Sequence, residues 1–121
     1  MRYFLLVLLI MTLFSCAAVK PPPDAFDNAE QAIKAAVTAG ADQYSPVELR
    51  FAREKLEEAH KGVEFKQYDK TLYLIEQAEI NAELAIEKSH AAVIRGQVAE
   101  LTQKNEILDE EFQNTYGEDS H

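Results

Sequence analysis

Residues 75–92, with the sequence IEQAEINAELAIEKSHAA, carry the clearest helical pattern in this chain of 121 residues. Small or apolar residues recur there at alternating steps of three and four: Ile75, Ala78, Ala82, Ala85, Ser89 and Ala92. Such steps place side chains on one face of an α-helix. Because almost all of these side chains are small, the pattern predicts a helix whose backbone lies close to a neighbouring helix.

The helix that contains this face is predicted to be long. Asp69 stands where an N-cap belongs. No proline follows Pro46, so the helix can continue without interruption to about Phe112. A helix of that length spans roughly 66 Å at 1.5 Å per residue.

Two shorter helices are predicted before it. The segment Ser45-Pro46-Val47-Glu48 combines an N-cap serine, a proline at the first helical position and a glutamate that completes a capping box. It predicts a helix over 46–64, in which Glu57 and Lys61 form an acid-to-base pair four residues apart. Its apolar residues recur at helical spacing: Leu49, Ala52, Leu56, Ala59 and Val63. Gly62 is predicted to loosen the last turn.

The first helix is predicted from about Asp24 to Ala39. Its apolar face comprises Ala25, Ala29, Ala32, Ile33, Ala36 and Val37, with Phe26 beside them. Gly40 is a natural helix stop, and 41–44 are predicted to connect the first two helices.

Three helices joined by short turns predict an all-α fold. We expect an antiparallel three-helix up-down-up bundle in which the long third helix extends as a coiled-coil-like tail. The bundle is predicted over 24–93 and the tail over 94–114, followed by a disordered C-terminus at 115–121.

The tail carries a heptad pattern of its own. Its predicted seam residues are Ile94, Val98, Leu101, Asn105, Leu108 and Phe112. Val98, Asn105 and Phe112 occupy a positions of the heptad, and the other three occupy d positions. An uncovered seam exposes apolar surface, which predicts self-association or binding to a helical protein partner. The alternative is that the seam packs back on the first two helices.

The N-terminus has the pattern of a secretory signal peptide over residues 1–15. Arg2 supplies positive charge, and Tyr3 to Phe14 is a run of twelve residues in which only Thr12 is not apolar. The run is too short to span a bilayer as a helix, which needs roughly 20 apolar residues.

The residues after this run resemble the lipobox of bacterial lipoprotein precursors. Leu13, Ser15 and Cys16 match its signal peptidase recognition and lipidation positions, and Cys16 is the single cysteine. The resemblance implies lipid transfer to Cys16, cleavage before it, and acylation by chains such as palmitate. Residues 16–23 then form a lipidated, proline-rich linker, and Ala17 points to the periplasmic face of the outer membrane of a Gram-negative bacterium.

The remaining chain resembles small bacterial lipoproteins that carry domain of unknown function 4398. The resemblance lies within 32–89, and its most specific element is the small-residue helix end Gly40-Ala41 running into 44–49, YSPVEL. The family has no assigned activity and no known site residues, so it implies an all-helical envelope protein and no chemistry.

Charge and motif content restrict the possible functions. Twelve basic against twenty-one acidic residues give a net charge of −9, which argues against a nucleic-acid partner. Two Glu-x-x-His pairs, Glu57 to His60 and Glu87 to His90, resemble half-sites of di-iron bundles. Their predicted separation of roughly 27 Å at 1.5 Å per residue is too large for one metal pair. We therefore predict no metal, no cofactor and no enzymatic activity.

The expected function is a structural or scaffolding role for a lipid-anchored helical protein of the cell envelope. The alternative is a periplasmic binding module that holds a peptide, a cell-wall fragment or a partner protein. Because its excess negative charge would repel anionic lipid headgroups, we expect the mature domain to stand off the membrane rather than lie on it.

Overall fold

The computed structural model describes residues 19–117, and within them the chain forms four helices and no strand. The helices are α1 (Pro23–Thr38), α2 (Ala41–Tyr44), α3 (Pro46–Glu64) and α4 (Tyr68–Tyr116). Helices comprise 89% of these residues. The all-helical class with a long C-terminal helix is therefore as predicted. At 1.5 Å per residue, α4 is roughly 73 Å long and α3 roughly 28 Å.

The helix boundaries follow local sequence closely. α3 begins and ends at the predicted residues, and α1 begins with Pro23 in its first turn, where the missing N–H is tolerated. Gly40 adopts a φ of +83°, a left-handed conformation that glycine reaches without strain. The predicted connection at 41–44 is a single helical turn, α2. α4 continues to Tyr116, so Thr115 and Tyr116 are helical rather than part of an irregular C-terminus.

Two predicted caps are wrong in detail. Ser45 is the N-cap residue of α3, but its side chain makes no capping hydrogen bond to the backbone. Its hydroxyl instead donates to Glu48 Oε2 at 2.7 Å, because an ionised carboxylate is a stronger acceptor. The N-cap residue of α4 is Gln67 rather than Asp69, which lies inside the first turn.

The core consists of two clusters, both rich in alanine. One contains Ala36, Ala41, Leu49, Ala52, Ala82 and Ala85. The other contains Ala29, Ala59, Leu74, Ile75 and Ala78. Each cluster combines residues of α1, α3 and α4, so α4 packs against both shorter helices along one face. The predicted small-residue stripe of α4 is buried from Ile75 to Ser89, and Ala92 is half-buried.

Gly62 has a different role from the predicted loosening of a helix end. It is buried within α3, and a Cβ atom built on it would overlap the Thr71 hydroxyl of α4. Thr71 is itself fully buried and donates to the Gln67 carbonyl at 2.9 Å. Gly62 therefore permits close contact between α3 and α4 beside the turn that joins them.

A polar contact joins the opposite region of the same two helices. The Lys88 ammonium of α4 donates to the Glu48 carboxylate of α3, which also accepts the Ser45 hydroxyl. The bonds from Lys88 and then Ser45 lower the pKa of Glu48 to about 2. This contact links residues forty positions apart in the chain. The predicted pair on α3 is also present, with 2.7 Å between Lys61 Nζ and Glu57 Oε1.

Ala82→Leu is expected to lower the free energy of unfolding by about 1–3 kcal/mol, because extra methylene groups cannot be accommodated at a fully buried position. Urea denaturation followed by circular dichroism measures the change. Glu30→Leu adds the same side chain at an exposed residue of α1 and is expected to change stability by less than about 0.5 kcal/mol. Equal stability of Ala82→Leu and wild type would contradict the tight packing.

Glu48→Gln is expected to destabilise the fold at neutral pH and to lose this effect in acid. A carboxylate with a lowered folded-state pKa contributes stability that is complete above its unfolded-state pKa. For Glu48 the contribution is lost as the pH falls from 4.5 toward about 2. Urea midpoints of wild type and variant across this range measure it, with the exposed Glu110→Gln as the control. A difference from wild type that stays constant with pH would contradict the assignment.

Candidate functional site

The predicted lipidation residues lie outside the described part of the chain. Cys16, Leu13 and Ser15 all precede Val19, with which that part begins. Val19 and Lys20 are exposed and lead through consecutive prolines into α1. The geometry of a candidate site therefore comes from α1 to α4.

The C-terminal half of α4 extends beyond its helical neighbours. Every residue from Val93 to Tyr116 is exposed. All predicted seam residues lie on this tail: Ile94, Val98, Leu101, Asn105, Leu108 and Phe112. The five apolar members are each 57–60% exposed, so the described structure does not pack them against α1 or α3.

The buried side chains of α4 lie on a different face from this seam. In the heptad frame with Val98 at a and Ile94 at d, they occupy only b, e and f positions. These residues are Thr71, Ala78 and Ala85 at b, Leu74 at e, and Ile75, Ala82 and Ser89 at f. Six of these seven residues lie at b or f, on the side of the helix away from a and d, so the seam faces away from α1 and α3.

The end of the tail carries an aromatic pair that sequence analysis missed. The rings of Phe112 and Tyr116 lie 5.1 Å apart between centroids, and both side chains are more than half exposed. Their spacing of four residues brings side chains together on a helix. That spacing is the available signal, but the predicted disordered C-terminus at 115–121 includes Tyr116.

Charged groups on the tail stabilise the helix locally. Lys104 Nζ lies 2.6 Å from Glu100 Oε1, one turn earlier, and both side chains are exposed. An exposed pair of this kind contributes about 0.3–0.5 kcal/mol. The acidic run 109–111 is fully exposed as well. The tail thus combines an apolar seam with a solvated, charged remainder.

An open depression of about 620 Å³ lies between α1 and α4, near the end of the bundle. It is lined by Gln31, Lys34, Ala35, Thr38, Ala39, Ile86 and His90. Lys34 and His90 contribute nitrogen atoms to its lining, whose exposed surface is mostly apolar. This is the described feature that best fits the binding-module alternative.

The two Glu-x-x-His pairs are engaged in different contacts. Lys61 holds Glu57 and lowers the pKa of that carboxyl, while His60 stacks on Phe26 of α1 with ring centroids 4.5 Å apart. His90 lines the depression. Among residues 19–117, no group of three or more His, Cys, Asp or Glu side chains is placed to hold a metal ion.

Within the same range, no helix is both long enough and apolar enough to cross a membrane.

The family model described as Domain of unknown function (DUF4398) matches residues 24–101, which confirms the predicted domain of unknown function. The match begins in the first turn of α1 and ends within the tail of α4, so it is longer than the 32–89 stretch recognised from its motifs. No curated protein and no solved structure matches the chain.

Proposed function

This chain belongs to the DUF4398 family, and from that premise we propose that it is a lipid-anchored helical protein of the cell envelope with a scaffolding role. The observation that carries the proposal is the exposed tail of α4. Its apolar seam points away from the bundle, and soluble surfaces of this kind usually mark sites of association. The proposal assigns no catalytic chemistry.

We further propose that α1, α3 and α4 form an antiparallel three-helix up-down-up bundle. The order of residues in the two core clusters supports this arrangement. Ala29, early in α1, shares a cluster with Ala59, late in α3, whereas Ala36 shares the other cluster with Leu49, early in α3. The start of α1 and the α3–α4 turn then share one end, and the tail leaves from the other.

Lipidation at Cys16 would fix the orientation of such a bundle. Two or three acyl chains hold a protein firmly, whereas one binds a membrane marginally. The anchored linker joins the start of α1, so the tail would point away from the membrane. Cleavage removes Arg2, the single charge of the leader, so the net charge of −9 becomes −10, which repels anionic headgroups and favours this upright position. The residue after the cysteine, Ala17, favours the outer membrane and a domain that faces the periplasm.

Cys16→Ala is expected to abolish incorporation of a labelled palmitate analogue and to leave uncleaved precursor, because the acceptor thiol is removed. Detection of the label in a gel measures the first effect, and an immunoblot of the same cells measures the second by the larger size of the precursor. Ser15→Ala keeps a small residue before the cysteine and is expected to retain the label. Mass spectrometry that found an unmodified Cys16 in membrane-bound wild type would contradict the lipid anchor.

Self-association through the tail is expected to be weak and dependent on the seam. Leu101→Asp with Leu108→Asp should abolish concentration-dependent association of the chain from Lys20 to His121, because charges would enter the apolar seam. Sedimentation equilibrium measures the association. Ala99→Asp with Ile107→Asp adds the same charge at exposed b and c positions and should leave it unchanged. A strict monomer at several hundred micromolar wild type would contradict self-association and leave a helical protein partner.

The second candidate function is a periplasmic binding module, which the depression between α1 and α4 favours. Lys34 and His90, which line it, suit a carboxylate of a peptide or cell-wall fragment. Titration of the protein with muropeptides, followed by NMR of the Ala35 and Ile86 amides, distinguishes this candidate. Saturable shifts at these residues would support it, and their absence at millimolar ligand would exclude these ligands.

A further inference from the structure

Large apolar side chains on the exposed side of α4 are not confined to the tail. Within the bundle, Tyr73, Ile80 and Leu84 are 59%, 48% and 44% exposed. In the heptad frame of the tail, Tyr73 and Ile80 occupy d positions and Leu84 an a position. The frame therefore continues from the tail along the outer side of the bundle, with the half-buried Ala91 at the next a position.

The extended a and d positions form one surface, which we name the outer seam. Its twelve residues are Tyr73, Gln77, Ile80, Leu84, Glu87, Ala91, Ile94, Val98, Leu101, Asn105, Leu108 and Phe112. None of them belongs to the buried set of α4, because that set occupies b, e and f positions. α4 thus has an inner face of small residues for α1 and α3 and an outer face of larger ones.

We infer that the outer seam, from Tyr73 to Phe112, is the interaction surface for a second copy of this chain, parallel and in register. The inference rests on the proposed self-association through the tail and extends it along the bundle. A strict seven-residue repeat over this distance favours left-handed supercoiling of the two α4 helices. α1 and α3 of each copy would remain on the outside of the pair.

The size of the surface fits a pair of identical chains. A stable interface buries about 800 Å² on each partner, supplied by about 20–30 residues a side. The tail alone, Ile94 to Phe112, offers twelve a, d, e and g positions, whereas Tyr73 to Phe112 offers twenty-three once the buried Leu74 is left out. The outer seam therefore reaches the usual size of a specific interface, and the tail alone does not.

The flanking charges favour the parallel, in-register arrangement. In such a pair each g residue faces the e residue five positions further along the other chain. Glu83 then faces Lys88 of the second copy, and Lys104 faces Asp109 of the second copy. None of the other g-to-e pairs between Tyr73 and Tyr116 brings two like charges together when histidine is neutral. Lys88 already donates to Glu48, but an ammonium group has three donors and can serve both carboxylates.

The polar seam residues fix the register and limit the strength of the pair. Asn105 meets Asn105 of the second copy only when the chains are in register, which is the usual role of an a-position asparagine. Glu87, at a d position, faces Glu87 of the second copy, so two carboxylates repel each other within the seam. We therefore expect Glu87 to weaken the pair, and this expectation provides a gain-of-association test.

Site-specific photocrosslinking of the full chain in cells tests the whole surface. Benzoylphenylalanine at Tyr73 and, separately, at Phe112 probes the two ends of the outer seam, and Phe51, an exposed aromatic residue of α3, is the matched control. We expect a crosslinked homodimer from both seam positions, with each probe attached near its own residue number in the second copy, and none from Phe51.

The crosslinking results distinguish a failure of the outer seam as the interface from a failure of self-association through the tail. A homodimer from Phe112 alone would overturn the extension and retain the tail. Attachment of the Tyr73 probe near Phe112 would overturn the parallel arrangement. An adduct with a different protein would overturn the assignment of a second copy as the partner. The absence of a homodimer from both positions would overturn self-association itself.

Glu87→Leu in the purified full chain in detergent provides an independent measurement. Sedimentation equilibrium is expected to show about a tenfold higher association constant, because two Leu side chains become buried and two facing carboxylates are removed. Glu106→Leu makes the same change at an exposed b position of the tail and is expected to have little effect. An unchanged constant for Glu87→Leu, in a chain that still associates, would overturn the extension along the bundle.

Discussion

The close approach of helices through small side chains is the constraint on which the rest of this structure depends. Most of the buried core residues are alanines, and Gly62 has no space for a Cβ atom against Thr71. Because interaxial distance depends on the side chains at the contact, such faces draw α1 and α3 close to α4. Each alanine buries little area, so stability depends on many short contacts rather than on a few large side chains.

This constraint divides α4 into two faces by residue size. Its inner face presents mainly alanine, serine and threonine, whereas Ile80, Leu84 and the tail leucines lie on the outer side. A row of large apolar residues on the outside is the kind of surface that marks an association site. This distribution suits a helix that packs against close neighbours on one side and, as proposed, against a further helix on the other. The scaffolding proposal follows from this distribution, not from any chemical group.

The sequence predicted the features that depend on local residues. The bounds of α3 follow from Ser45 and Pro46, and the inner face follows from the spacing of alanines between Ala78 and Ala85. The misassigned details depend on distant groups: Glu48 takes the Ser45 hydroxyl and also binds Lys88, and Gly62 meets Thr71. The sequence alone predicts the seam only in the tail. Upstream of Ile94, the inner and outer faces of α4 both carry apolar residues at helical spacing, and only their burial distinguishes them.

The proposed association would be coupled to folding, because one helix serves both. Residues of α4 complete both core clusters on one side and form the outer seam on the other. A partner that binds only the folded chain stabilises it by mass action, so pairing along α4 would add to the stability of an alanine-rich core. Anchors in one membrane would raise the local concentration and keep the copies parallel. Weak association in solution would then be compatible with a stable assembly at the membrane, since the proposed lipid anchors would supply the concentration that the seam alone does not.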